Sequence, residues 1–269
     1  MAKSVGIGLL GLGVVGGGVA RVLSEKADHL EELVGASIVL EGVLVKDLNK
    51  VRPYSPPSHL LTTRAEDIFE NPRVDIIVEA MGGQDPALDY LLKSISLGKH
   101  VVTANKEVMA RHGQQILELA WQKNTQILFE ASVAGGTPVI GPLVRELAAN
   151  EIVAIHSIIN GTTNYILTRM AQQGADFDEA LAEAQRLGYA EADPTADVEG
   201  FDAVAKLTIL GNIALGGSLR PADVQRTGLT SLGEEEVRDA VTRGKRWKYI
   251  GEVRRRDGHV KATVAPVLL

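Results

Sequence analysis

The sequence predicts an α/β fold, with a doubly wound parallel sheet in the first half of the chain and a second, α+β domain after it. Three observations carry that expectation. Short apolar runs at 5–10, 37–45, 75–80, 100–106 and 125–131 mostly alternate with segments of helical composition, the pattern of a parallel sheet with crossover helices. The first run ends in the glycine-rich stretch Gly11-Leu12-Gly13-Val14-Val15-Gly16 and leads into a helical segment. Beyond Pro138 the alternation gives way to longer helical patterns and a closing hairpin.

The first strand, Val5 to Leu10, is short and apolar, and helical composition resumes from Gly17 to Leu33. Strand, glycine turn and helix in that order suit a dinucleotide: the turn is tight, the backbone can approach a pyrophosphate, and a helix N-terminus faces it. This makes the sheet Rossmann-type and nominates Gly11, Leu12, Gly13, Val14, Val15 and Gly16 as cofactor contacts. The second strand, Ser37 to Val45, runs into Lys46, Asp47, Lys50 and Arg52. An acid at that strand end favours NAD and a base accommodates the 2′-phosphate of NADP. Three bases against one acid favour NADP, with NAD left open. Pro53 to Pro57 forms a rigid loop and Ala65 to Phe69 a short helix. Asp75 to Ala80 is the third strand, followed by a turn at Gly82-Gly83 and a helix capped near Gly98. His100 to Lys106 is the fourth strand, Glu107 to Lys123 a helix, and Thr125 to Ala131 the fifth strand. Ligands of such sheets gather beyond the carboxyl ends of the strands. Gly82, Thr103 and Lys106 lie at such ends. Lys106 there either touches cofactor or substrate or is an exposed lysine at a helix start.

Glu130 to Pro138 is glycine-rich without the ending of a phosphate loop; its carboxylate and backbone carbonyls are the oxygen ligands a hard cation such as Na⁺ takes. The domain boundary falls here, giving residues 1–134 and 135–269. A helix is expected to Asn150, a strand from Ile152 to Ile159, and then a helix opened by Asn160-Gly161 with hydroxyl residues in its first turn. An amphipathic helix runs from Asp176 to Gly188. After Leu215 come turns, a charged helix at Glu234 to Arg243, and a hairpin of Arg246 to Arg255 with His259 to Leu269, joined through Asp257-Gly258.

Between Gly188 and Lys206 lie Glu191, Asp193, Asp197, Glu199 and Asp202, and the lysine closes the run. Acid runs are commonly solvated loops. Here Asp193-Pro194 and Gly200 shape the loop, and from Phe201 the sequence turns apolar all round, as a core helix does. Asp202 and Lys206, four apart, share one helix face. As a surface pair they would contribute only about 0.3–0.5 kcal/mol. Among Ala203, Val204, Ala205, Leu207, Ile209 and Leu210 they read as functional, with desolvation bringing the lysine toward the range of an efficient acid and the carboxylate limiting that fall.

Composition narrows the classes. The 269 residues suffice for two modest domains, and a hydrophobic content of 45% with 23% charged residues is that of a globular protein. A net charge of −6 gives no general electrostatic attraction to nucleic acid or to an anionic membrane. No apolar run approaches the ~20 residues that span a bilayer, and the N-terminus lacks a signal-peptide cleavage pattern, so a cytoplasmic location is expected. Cysteine is absent, which removes disulfides, thiolate metal sites and thiol nucleophiles. The six histidines are scattered, with no pair at metal-ligand spacing.

In order along the chain, GLGVVG, TANK at Lys106, EASVAGGTP, NGTTNYIL and GYAEADPTADVEGFDAVAK together resemble the homoserine dehydrogenases, and the likeness covers nearly the whole sequence. The resemblance implies reversible NAD(P)H-dependent reduction of L-aspartate 4-semialdehyde to L-homoserine, a step toward threonine, methionine and isoleucine. It implies Lys206 as proton donor, Glu191 and Asp202 as substrate ligands with Asp197 supporting the cluster, and Lys106 at cofactor and substrate. It also implies Gly188 against the cofactor, a structural Na⁺ on Glu130, Val133, Gly135 and Thr137, and a homodimer formed through the second domain's sheet. Family members usually continue past this hairpin, so with the sequence stopping at Leu269 no regulatory domain is expected. A nucleotide-binding remnant without turnover, or an NADP oxidoreductase of another small polar substrate, are the alternatives.

Overall fold

The computed structural model describes residues 4–256 and 258–269, folded as two compact units, Met1–Gly136 and Thr137–Leu269.

In the first unit β1 (Ser4–Leu10) leads to α1 (Val14–Glu25), α2 (Ala27–Val34) and β2 (Ser37–Leu44). The short β3 (Leu61–Thr62), α3 (Glu66–Phe69), β4 (Ile76–Glu79), α4 (Ala87–Ser96), β5 (His100–Thr103), α5 (Lys106–Gln122) and β6 (Ile127–Leu128) complete it. All pairings are parallel, in the order β3-β2-β1-β4-β5-β6, the doubly wound arrangement expected from the alternation. Successive strand residues point to opposite faces, and both faces are covered. Leu10, Leu44 and Ile77 pack with Ile68 and Phe69 of α3, while Leu9 and Val43 pack with Leu12 of the glycine loop and with Ala20 of α1.

The second unit begins with a turn of π-helix at Pro142–Glu146 and continues through β7 (Ala154–Ser157), α6 (Gly161–Gln173), α7 (Phe177–Arg186), α8 (Thr195–Val198) and α9 (Phe201–Leu215). It ends with β8 (Gln225–Arg226), α10 (Glu234–Thr242), β9 (Trp247–Arg256) and β10 (His259–Leu268). Its sheet runs β7-β9-β10-β8, antiparallel except where β8 lies parallel to β10. Val204 and Leu207 of α9, Ile166 and Leu167 of α6, and Tyr249, Val253 and Val264 of the sheet form its core.

Several boundaries differ from expectation for local reasons. The helix expected from Gly17 to Leu33 is two helices divided at Lys26, where φ −119° and ψ 23° leave the helical region. The fourth strand ends at Thr103 rather than Lys106, because Asn105 caps α5 by accepting a hydrogen bond from the Val108 N–H, so Lys106 is the first helical residue. The fifth strand keeps two residues at the sheet edge before a 3-10 turn at Glu130–Ser132. The helix expected from Pro138 to Asn150 is a single π-turn, and the strand at 152–159 is four residues long. The two-residue strands β3 and β8 are too short to show periodicity. In the hairpin turn Asp257 lies outside the described residues, and Gly258 has φ +78°.

Candidate active site

In the first unit the three fingerprint glycines answer three different demands. Gly11 adopts φ +95°, and a Cβ on it would stand 2.7 Å from the Ala80 carbonyl oxygen. A Cβ on Gly16 would stand 2.0 Å from the Gly11 carbonyl oxygen, so the first turn of α1 can close on the loop only without one. Gly13 has open space where its Cβ would be, leaving bare backbone at the helix start. No side chain caps α1, whose first residues Val14 and Val15 are 93% and 54% exposed, while Leu12 beneath them is buried. Uncapped N–H groups, apolar surface and a clear approach are what an anionic, partly apolar ligand requires. An NAD(P) pyrophosphate fits that cradle.

Beyond β2, Lys46 is exposed. Arg52 is turned inward, donating to the carbonyls of Asp47 (2.6 Å) and Lys50 (2.7 Å), and the Asp47 carboxylate accepts from the Asn49 N–H. Of the basic residues expected there, Arg52 shapes the loop, and Lys46 and Lys50 are left facing solvent. Gly82 is exposed at φ +77°. Thr103 is buried, its hydroxyl donating to Glu79 (2.5 Å) and accepting from the Asn105 N–H (3.0 Å), so only its backbone remains for a ligand. Lys106 is half-buried at the start of α5. Glu130 opens the 3-10 turn, Val133 is buried, Gly135 has φ +59°, and Thr137 is exposed.

In the second unit the acid-rich stretch folds around a buried ion pair. Lys206 Nζ lies 2.7 Å from Asp202 Oδ2, with side chains 18% and 3% exposed. The ammonium also donates to the Ile159 carbonyl at 3.1 Å. Asn160 donates from Nδ2 to both Asp197 (2.7 Å) and Asp202 (3.0 Å), while its Oδ1 caps α6 by accepting from the Thr163 N–H. The Thr162 hydroxyl lies 3.0 Å from Asp197 and 2.6 Å from the Tyr189 carbonyl. Asp202 therefore meets both the lysine and the asparagine that bridges it to Asp197. Gly188 turns the chain out of α7 at φ +79° with nothing near its missing Cβ. Glu191 follows, exposed, its carboxylate without a partner among the described residues.

Asp197, Asp202 and Lys206 are thus brought together, while Glu191 stands apart from their hydrogen bonds. Asn160 and Thr162 were not among the residues nominated from the sequence. An N-cap asparagine keeps its amide group free for a second task, so NGTT was the available sign, but what Nδ2 would meet lay 37 to 42 residues away.

A family model described as "Homoserine dehydrogenase" matches residues 138–269, and one described as "Homoserine dehydrogenase, NAD binding domain" matches residues 11–130. The crystal structure of the Staphylococcus aureus homoserine dehydrogenase at pH 6.0 is 37% identical with a TM-score of 0.87, covering 99% of this chain and 67% of that one. This chain belongs to the homoserine dehydrogenase family. A structure from Thiobacillus denitrificans is 44% identical with a TM-score of 0.93, over 99% of this chain and 62% of that one. The Bacillus subtilis homoserine dehydrogenase is 40% identical over 267 residues, 99% of this chain and 62% of that protein. The chain spans between about half and three fifths of the length of the curated relatives it matches.

Proposed function

We propose that the chain carries the homoserine dehydrogenase reaction, the reversible NAD(P)-dependent interconversion of L-aspartate 4-semialdehyde and L-homoserine. The observation that carries this reading is the buried Asp202–Lys206 pair, 2.7 Å apart, set beside Asp197 in a chain whose other unit holds an uncapped glycine-loop helix. Gly11 to Gly16 bind the nucleotide, with Gly82, Lys106 and Gly188 as further contacts. The bound nucleotide supplies the hydride. Lys206 gives its proton to the oxygen that becomes the alcohol, so negative charge does not accumulate there. Asp202 orients the ammonium at 2.7 Å, and the Ile159 carbonyl fixes a second of its protons. Glu191, with Asp197 and Asp202, orients the substrate ammonium through charge-assisted hydrogen bonds.

Lys46, exposed beyond β2, favours NADP over NAD. The Glu130 carboxylate and the carbonyls of Val133, Gly135 and Thr137 are hard oxygen donors of the kind a Na⁺ ion takes. Among the described residues no cluster of three or more His, Cys, Asp or Glu side chains stands ready for another metal. Ile250, Ala265 and Val267 lie on the sheet face opposite Tyr249 and Val264 and are incompletely buried, which supports a homodimer through that face. No helix among the described residues is long and apolar enough to cross a membrane, and we assign the protein to the cytoplasm.

The test is a spectrophotometric assay with L-homoserine and NADP⁺, then NAD⁺. Turnover that falls at least a thousandfold in Lys206→Ala, with NADPH affinity held within threefold, supports the reading; equal losses in both would sink it. Tight NADPH binding without turnover by the unaltered chain would select the nucleotide-binding alternative.

A further inference from the structure

Glu79, the last residue of β4, has no surface in contact with solvent and no cation beside it among the described residues. A carboxyl group so placed is costly unless its oxygens are satisfied. Here Oε2 accepts from the Thr103 hydroxyl at 2.5 Å, and Oε1 accepts from the Met81 N–H at 2.8 Å and, more weakly, from Asn105 Nδ2 at 3.5 Å. The network continues in both directions. Thr103 Oγ1 accepts from the Asn105 N–H, Asn105 Nδ2 donates to the Gly83 carbonyl at 2.7 Å, and Asn105 Oδ1 caps α5.

One buried side chain therefore joins the loop after β4, with its left-handed Gly82 and Gly83, to the loop after β5 and the helical turn that Lys106 opens. Both loops lie at the carboxyl ends of adjacent parallel strands, where ligands of such sheets bind. We infer that Glu79 is a positioning residue: it holds the two loops in register so that Gly82 and Lys106 present one fixed surface to the nicotinamide nucleotide. This rests on the nucleotide-binding role proposed above. The cost of burying the group without a cation is the reason to expect a specific task, because an apolar residue would satisfy packing alone.

The experiment compares Glu79→Ala, Glu79→Gln and Lys99→Met in the full chain, following hydrogen–deuterium exchange and NADPH affinity by fluorescence titration. Lys99 is a buried polar control of the same unit, donating to the carbonyls of Asn71 and Val74 and not to either loop. In Glu79→Ala, exchange at 80–84 and 104–109 speeds at least tenfold in both segments and the NADPH Kd rises at least tenfold. Glu79→Gln keeps Oε1 for Met81 and Asn105, and the Thr103 hydroxyl can turn to accept from the new amide, so both readouts stay within threefold. Lys99→Met leaves both readouts unchanged. The inference is overturned if only one loop responds in Glu79→Ala, if exchange rises uniformly across the unit, or if glutamine fails to rescue. Should Glu79→Ala not fold, Thr103→Val against Thr103→Ser makes the same comparison. Absence of NADPH binding by the unaltered chain would refute the nucleotide role, while the exchange comparison still decides whether Glu79 couples the loops.

Discussion

Replacing Lys206 by methionine should destabilise the second unit more than replacing Asp202 by asparagine, and the two effects should be far from additive. At 2.7 Å and an effective dielectric of about 20, the pair attracts by about 6 kcal/mol, offset by several kcal/mol of desolvation for each ion. Breaking a buried pair from one side costs about 3–5 kcal/mol, because the other charge stays behind. Lys206→Met leaves Asp202, 3% exposed, beside Asp197 with the same asparagine bridging both, so the full cost applies and carboxylate repulsion adds to it. In Asp202→Asn the new amide oxygen still accepts from Asn160, and the remaining lysine, 18% exposed, reaches water and the Ile159 carbonyl, which lowers the cost to about 2–3 kcal/mol. The double variant leaves no buried charge at either position and should cost less than Lys206→Met alone, a coupling of at least about 2 kcal/mol. Urea unfolding followed by Trp247 fluorescence measures this in a Trp121→Phe background, since those two are the only tryptophans and Trp247 lies in the second unit. Additive single effects, or a Lys206→Met cost below that of Asp202→Asn, would refute the picture of a charge-balanced buried site.

Burial raises the Tyr249 phenol to about 12, and the neighbouring Arg226 offsets only part of that rise. The unfolded chain then loses its proton first, near pH 10, so stability is held below pH 10 and falls between 10 and 12 by up to about 3 kcal/mol; Tyr249→Phe should flatten that alkaline limb in denaturation midpoints taken at successive pH values. Gly200 has φ +83°, and a Cβ there would stand 2.0 Å from the Tyr249 hydroxyl, so Gly200→Ala should cost at least about 2 kcal/mol and lower the melting temperature by several degrees; an unchanged melting point would show that the junction before α9 yields freely. Lys46→Ala should weaken NADPH binding about tenfold, roughly 1.4 kcal/mol, while leaving NADH unaffected, read by parallel fluorescence titrations. Equal losses for both nucleotides would remove Lys46 from cofactor choice.

What the sequence determined by itself is what depends on near neighbours along the chain. The glycine loop between strand and helix, the period of the first sheet, and the four-residue spacing of Asp202 and Lys206 are local facts, and backbone geometry carries them into three dimensions with little freedom. The all-round apolarity of α9 likewise announced its burial, and nine of its fifteen residues are buried. Element ends were less legible. Asn105 shortens β5 by capping α5, and Lys26 breaks a helix whose composition reads as continuous.

Tertiary structure alone decided the partners of each polar group. Asn160 meets Asp197 and Asp202 across 37 and 42 residues, Glu79 meets Thr103 across 24, and Glu199 meets Arg226 across 27. No local pattern encodes such pairs. Each is fixed by the packing of elements whose apolar faces fit together, and a polar atom left unpaired by that packing would cost more than the single hydrogen bond it forfeits. The fate of Arg52 makes the same point: the sequence offers it as a phosphate ligand, and the folded loop takes its guanidinium for two of its own carbonyls.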